Sequence, residues 1–213
     1  MSSSLPKNVI VRCFEIAKRE TKPLVNENDI SRYIIEIMHR CDKYAEENFH
    51  MSPNQIGRCR GDWFEYAIKE VLSKFFKPDE FKVYPGRGHN IKEIKGFEEV
   101  EWIPMPDAII KSPSDLRAVL SLKWGLRHDR MYEVGYEAYA IKDWIQRKRL
   151  NPIKLFLITA NIFSGYESRL ITMYACPVID DIYFIRYERL SPRLRKHIKP
   201  VKKLIEDLRE IIH

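Results

Sequence analysis

The stretch PDAIIKSPSDLRAVLSLKWGLRHDR, residues 106–130, decides the fold. Two apolar runs, residues 107–110 and the segment LRAVLSLKWG, flank the turn PSDL. This is the pattern of two adjacent antiparallel strands. Alternation along a strand puts Ser121 and Lys123 on one face. Pairing across the turn can then bring Asp107 beside Lys123. A carboxylate and an ammonium at one point of a sheet can hold a divalent metal and a water nucleophile. Phosphodiester hydrolysis needs both, together with charge to offset the scissile phosphate. The spacing alone is common by chance, because an Asp/Lys pair is more often a surface salt bridge.

The chain around this stretch reads as α/β. Downstream, HDRMYEVGYEAYAIKDWIQRKRL reads as one long helix. The segment PIKLFLITAN is almost uninterrupted apolar sequence, as expected for a strand at the buried centre of a sheet. After the loop FSGYESR, residues 170–190 supply one or two further strands. Ser191-Pro192 then starts a basic C-terminal helix that runs to about Ile212. Upstream, residues from about 5 to 20 carry apolar side chains at helical spacing. A second helix is capped by Asn28 or Asp29. MSPNQIGR reads as a loop before a third helix, GDWFEYAIKEVLSKFF, with Phe64, Ala67, Ile68, Val71, Leu72 and Phe75 on one side. FKVYPG is a short strand ended by Pro-Gly. The expected architecture is a single α/β domain over residues 1–213, a mixed sheet with helices on both faces. Within it, residues 1–57 form a helical N-terminal region, 58–172 a catalytic and recognition core, and 192–212 the C-terminal helix.

Composition is consistent with this. The 213 residues are 45% hydrophobic and 31% charged, as in ordinary globular proteins. No apolar run approaches a membrane span, and the start lacks the apolar stretch of a signal peptide. The four cysteines, Cys13, Cys41, Cys59 and Cys176, are scattered without a C-x-x-C pair. That pattern argues against a zinc site or disulfide framework and for free buried thiols in a reducing cytoplasm. A formal charge of +7 favours a polyanionic partner, though many basic proteins never touch nucleic acid. Abundant Lys, Glu and Ile beside only two glutamines is a composition associated with thermophiles.

A metal site wants a second acid, and Ser121 is not acidic. Glu133 and Glu137 lie four apart on one face of the helix after Lys123, so physics alone does not choose between them. Glu65 on the third helix is another candidate. The ordinary reading of each is a solvated helix surface.

Pro106-Asp107, Ser121-x-Lys123 and Glu137 resemble the swapped variant of the PD-(D/E)xK nuclease motif found in CCGG-recognising type II restriction endonucleases. There the second metal-binding carboxylate has moved from the strand to the following helix, and the step of fourteen from Lys123 selects Glu137. Lys123-Trp124-Gly125-Leu126-Arg127-His128-Asp129-Arg130 is similar to the family's K-x-x-x-R-x-D-R recognition element. The resemblance implies that Asp107, Glu137 and the carbonyl of Leu122 bind Mg²⁺, and that Lys123 orients and helps deprotonate the attacking water. Glu65 would assist at a second metal position. It also implies that Arg127, Asp129 and Arg130 read base edges. The chemistry suits G·C pairs: Arg is bidentate to guanine O6 and N7, and Asp accepts from cytosine N4. His128 keeps the gap that relatives reading CCNGG lack, which favours an uninterrupted CCGG core. Leu157-Ile158-Thr159-Ala160 and Ser168-Arg169-Leu170 are similar to a following strand and loop, but Asn161-Ile162 replaces the family's Glu-Pro. Arg169 is therefore open to a base, a phosphate or a loop-holding role. The resemblance spans roughly residues 58–172. It implies cleavage of double-stranded DNA to 5′-phosphates and 5′ overhangs by a homodimer or tetramer. Two other readings remain: a PD-(D/E)xK nuclease of a repair or structure-specific kind, and a non-catalytic basic DNA-binding domain.

Overall fold

The computed structural model describes residues 7–84, 96–99, 106–113, 115–163, 165–167, 170–172 and 178–213. Three long helices come first: α1 (Lys7–Glu20), α2 (Ile30–Phe49) and α3 (Pro53–Phe75). The sheet strands are β1 (Phe81–Val83), β2 (Ala108–Lys111), β3 (Leu116–Leu126), β4 (Lys154–Ile162), β5 (Asp181–Phe184) and β6 (Lys199–Pro200). Helix α4 (His128–Lys148) joins β3 to β4, and α5 (Lys203–Ile212) ends the chain. The six described strands lie in sequence order. β1, β2 and β3 are antiparallel, and β3 to β6 run parallel, so the sheet is mixed as expected.

Alternation divides the core in two. Ala118, Leu120 and Leu122 of β3 and Phe156, Ile158 and Ala160 of β4 pack under α1, α2, α3 and α5. Val119 of β3 and Leu155 and Leu157 of β4 point the other way, to Val134, Ala138 and Ile141 of α4. A strand buried on both faces loses the apolar/polar alternation, which is why PIKLFLITAN reads as continuous apolar sequence. Among the described residues no helix is long and apolar enough to cross a membrane.

Three boundaries differ from the sequence reading. α3 starts at Pro53, eight residues before the expected Gly61, because Ser52 and Gln55 form a reciprocal capping box in the segment read as a loop. Asp29 holds the N-cap position of α2, as one of the two expected residues, but makes no side-chain cap bond there; the side-chain cap falls one step earlier, where Asn26 accepts from Asn28 N–H at a short 3₁₀ turn, Glu27–Asp29. The C-terminal helix is broken: a single turn, Pro192–Arg195, is followed by β6 and only then by α5. Pro200 has no N–H for a helix interior, so the chain pairs as an edge strand there. Nor is α5 a free basic surface, since Leu204, Ile205, Leu208 and Ile212 complete the core beneath the sheet. Between residues 178 and 190 the one described strand is β5.

Cys13, Cys41 and Cys59 are free and buried, and burial pushes their thiols well above the ordinary range. They are packing groups rather than nucleophiles. Trp63 is fully buried and donates from Nε1 to the Ile10 carbonyl, and Trp144 donates to the Gly96 carbonyl. Both are scaffold. Cys176 and Trp102 lie outside the described residues, as does the loop at residues 85–89.

Candidate active site

The turn between β2 and β3 brings the ends of both strands together. Ala108 pairs with Leu120, so Asp107, one residue before β2, reaches the last third of β3. Its Oδ2 accepts the Leu122 N–H at 2.6 Å and Lys123 Nζ at 2.9 Å. A carboxylate fixed by a backbone donor and an ammonium is charge-assisted on both sides and held in one rotamer. The pair is not a solvated bridge: the two side chains are 11% and 18% exposed.

Ser121 shares the Lys123 face of β3 and meets α4 there. Its Oγ donates to Glu137 Oε2 at 3.3 Å, while Oε1 is buried with no partner among the described residues. Glu137 is 4% exposed. Burial drives its pKa up to about 8; the Asp107 charge adds to this, and Lys123 and the Ser121 hydroxyl pull back by less. For Lys123, burial opposes the charge, but Asp107 and Glu137 outweigh it and hold the ammonium above the ordinary lysine range. A buried carboxylate with an orphaned oxygen and an adjacent buried lysine is the perturbed pair expected of functional sites.

Glu133, the other candidate, differs sharply. It is 41% exposed, with Oε1 3.7 Å from Lys123 Nζ and Oε2 2.6 Å from Arg130 Nη1. The two acids share a helical stripe, yet one faces the sheet and the other its rim.

The recognition candidates stand at the start of α4. Arg127 is its N-cap residue in extended conformation, with no side-chain cap bond. Arg127 Nη2 pairs with Asp129 Oδ2 at 2.9 Å, both more than half exposed. His128 packs edge-on to Tyr132 at 4.6 Å. At Gly125 a Cβ would come within 3.2 Å of the Phe163 ring, so a larger residue there needs that exposed ring to shift by a few tenths of an ångström.

These groups open on one cleft of about 2650 Å³, including solvent-open space. β3 and α4 line one wall with Asp107, Lys123, Arg127, Arg130 and Glu137. The first half of α3 lines the other, with Arg58, Arg60, Asp62 and Glu65. Burial raises the Asp62 pKa, and Lys7 offsets part of that shift. Of the residues expected from sequence, the structure brings Asp107, Ser121, Leu122, Lys123 and Glu137 together and puts Glu65 on the opposite wall of the cleft. Arg169 lies outside the described residues.

Sequence reading missed a supporting layer. Asn161 donates to the Trp124 carbonyl at 3.3 Å and accepts from Arg186 Nη1 at 3.0 Å. The Arg186 guanidinium lies 5.4 Å from the centre of the Trp124 ring. This brace holds the strand end directly after Lys123. Its parts are far apart in sequence, so no local spacing announces it.

A metal fits the acidic end. Among the described residues no group of three or more His, Cys, Asp or Glu is gathered to hold an ion. Mg²⁺ does not need one: it takes one or two carboxylates and completes its shell with water and phosphate oxygens. Asp107 and Glu137, whose charges raise one another's cost, with the orphaned Glu137 Oε1, are such a donor set.

No protein-family model matches the chain, and neither does any curated protein. Solved structures do. The crystal structure of the type IIF restriction endonuclease Bse634I with cognate DNA matches with a TM-score of 0.52 at 13% identity, over 96% of this chain and 92% of that one. Metal-depleted Ecl18kI in complex with uncleaved, modified DNA gives a TM-score of 0.47 at 12% identity, over 96% of this chain and 77% of that one. Identity this low speaks for the fold alone, and only the first match is close enough to argue from. A mixed sheet between three N-terminal helices and the β3–α4–β4 crossover, traced over nearly the whole of both chains, makes this a restriction-endonuclease-like, PD-(D/E)xK fold.

Proposed function

We propose that the protein is a Mg²⁺-dependent type II restriction endonuclease that hydrolyses double-stranded DNA at a palindromic site with a CCGG core. One observation carries this reading: Asp107, Lys123 and Glu137 line one cleft with Arg127 and Arg130, at the strand end from which the segment Arg127-His128-Asp129-Arg130 emerges. A groove that cuts and a helix start that can read bases are then separated by one turn of chain. The net charge of +7 and the arginines on both cleft walls suit a polyanion.

In this reading Asp107, Glu137 and the Leu122 carbonyl would hold Mg²⁺, which when bound would stabilise charge on the phosphate as a Lewis acid and lower the pKa of water. Lys123 is held as an ammonium by Asp107, so its role is to orient the attacking water and offset charge on the phosphate. The bonds balance simply: the water oxygen bonds to phosphorus and gives up a proton to solvent, the P–O3′ bond breaks, O3′ takes a proton from solvent to become a 3′-hydroxyl, and a 5′-phosphate remains. Ser121 anchors Glu137, and Glu65 approaches from α3. Arg127, Asp129 and Arg130 read the half-site, while Arg169 serves a base or a phosphate. By the resemblance, the cut before the first C leaves four-base 5′ overhangs.

A palindrome needs two readers related by a two-fold axis. Half-sites two base pairs apart lie only about 7 Å apart along the duplex, so two α4 N-termini must meet near the axis. α4 also exposes Tyr132, Tyr136 and Tyr139, at spacings of four and three, starting one turn beyond the reader. We assign this aromatic face to a second copy of the chain, giving a homodimer. Replacing Tyr136 and Tyr139 together by Lys is expected to yield folded monomer in sedimentation. A dimer that persists unchanged removes this face from the interface.

The function is tested by digesting a sequenced plasmid with Mg²⁺ and with EDTA, then sequencing the ends. Discrete Mg²⁺-dependent cuts at CCGG-containing sites are expected. Discrete cuts elsewhere would discard the assignment of Arg127, Asp129 and Arg130. Cutting only of branched DNA, or binding without turnover, would favour the two rival readings.

A further inference from the structure

One side chain stands between the base reader and the active site. Glu133 follows Arg130 by three residues on α4. Its Oε2 accepts from Arg130 Nη1 at 2.6 Å, and its Oε1 lies 3.7 Å from Lys123 Nζ. Lys123 in turn donates to Asp107 Oδ2 at 2.9 Å. Arg130, Glu133, Lys123 and Asp107 therefore form a continuous chain of alternating charge. It runs from a side chain 40% exposed at the helix start to one 11% exposed beside the strand end.

We propose that Glu133 is a positioning residue that couples base reading by Arg130 to the placement of Lys123. The inference rests on the nuclease reading above and deepens it. A guanine edge that takes Arg130 through Nη1 and Nη2 competes with Glu133 for the Nη1 donors and draws the guanidinium off the carboxylate. When cognate DNA takes the arginine, the carboxylate loses its closest partner. Among the described residues the other cation within 4 Å is Lys123. A carboxylate left unpaired beside a largely buried ammonium closes that gap, because a charge-assisted hydrogen bond replaces the one lost. Lys123 then divides its donors between Glu133 and Asp107. Asp107 Oδ2, which accepts from both Leu122 N–H and Lys123 Nζ in the DNA-free protein, is relieved of part of one donor and is freer to serve a cation.

At a wrong base Arg130 stays on Glu133, and Lys123 stays on Asp107. The two states differ in named contacts, as coupling between sites requires. The plainer account is a solvated i,i+3 ion pair that adds at most about a few tenths of a kcal/mol to helix stability. Such a pair would affect every substrate equally.

The test uses the full-length protein with Glu133→Gln, which keeps shape and removes charge, and Glu133→Asp, which keeps charge and shortens reach. Single-turnover cleavage is measured on a CCGG duplex and on duplexes with each core base pair replaced in turn. Glu133→Gln is expected to narrow the cognate-to-substituted rate ratio at the pair read by Arg130 by at least about tenfold, with Glu133→Asp partly restoring it. Equal slowing on all duplexes overturns the proposal. A second readout needs neither DNA nor metal: the ¹³Cε resonance of Lys123 in labelled protein. Arg130→Ala is expected to shift it in the wild-type background and not in Glu133→Gln. No shift in the wild-type background breaks the chain and overturns the proposal even if the enzyme cuts. A shift without cleavage of any DNA overturns the nuclease reading, and the coupling with it, while leaving the ion-pair chain intact.

Discussion

Lys123→Ala is expected to lower single-turnover DNA cleavage by about 10³-fold, within the range for losing one preorganised group that stabilises transition-state charge, while leaving specific DNA binding in Ca²⁺ nearly unchanged. The reason is local. Lys123 is the cation that pairs with Asp107 at 2.9 Å, lies 3.7 Å from Glu133, and feels the Glu137 charge from further off. Without it nothing at this point of the sheet orients a water against a phosphate. The fold should survive, because β3 is held by Leu120 and Leu122 beneath it and Asp107 keeps the Leu122 N–H. Removing one partner of a buried pair can still cost about 3–5 kcal/mol, so Lys123→Met, which keeps the stem and loses the charge, is the companion variant. Circular dichroism establishes folding and a filter-binding titration establishes affinity. Wild-type cleavage by either folded variant would remove Lys123 from the chemistry. Lys123→Arg is not expected to rescue, since a planar fork cannot occupy the space of a compact ammonium.

The residues of this site were legible in the sequence because strand geometry is local. Period-two alternation puts Ser121 and Lys123 on one face, and a short turn returns Asp107 to them. The choice between Glu133 and Glu137 was not legible from physics, since residues four apart share a helical stripe. Only the depth of each side chain separates them. Burial depends on how α4 seats on β3 and β4, which is a tertiary fact. The Asn161–Trp124–Arg186 brace was invisible for the same reason: 25 residues separate Asn161 from Arg186. Other misses were readable. Ser52-Pro53-Asn54-Gln55 carries a capping box with proline at the first helical position, and Pro200 forbids an unbroken C-terminal helix. In both cases a broader impression, polar loop or basic helix, outweighed a specific stereochemical signal.

Glu137→Gln is expected to abolish Mg²⁺-dependent cleavage and, in EDTA, to make the protein more stable than wild type. The two effects share one cause. Glu137 is 4% exposed, has one oxygen on Ser121 and the other on nothing described, and sits near Asp107 with only Lys123 to compensate. The folded state therefore holds the Glu137 proton more tightly than the unfolded chain does, with a pKa of about 8 against 4.5. Between those values the folded protein binds more protons than the unfolded one, so this group's contribution to stability falls as pH rises from about 4.5 and levels off above about 8. At 1.36 kcal/mol per unit the cost at pH 7 is at most about 3 kcal/mol, and relaxation of the metal-free site reduces it. Glutamine is nearly isosteric and neutral, so the variant should gain about 1–3 kcal/mol, or roughly 3–10 °C in melting temperature at this chain length. The gain should shrink toward pH 5, where wild-type Glu137 is protonated in the folded state. Adding Mg²⁺ should reverse the order, because a cation that binds only the folded wild type stabilises it by mass action and the amide offers no charge to hold the ion. Differential scanning fluorimetry at pH 5 and pH 8, with EDTA and with Mg²⁺, reads all four corners. A Glu137→Gln protein that melts below wild type in EDTA at pH 8 would mean that the carboxylate is satisfied without a metal. A wild type that gains nothing from Mg²⁺ would move the ion elsewhere in the cleft, with Glu65 and Asp62 on the α3 wall as the next carboxylates to test.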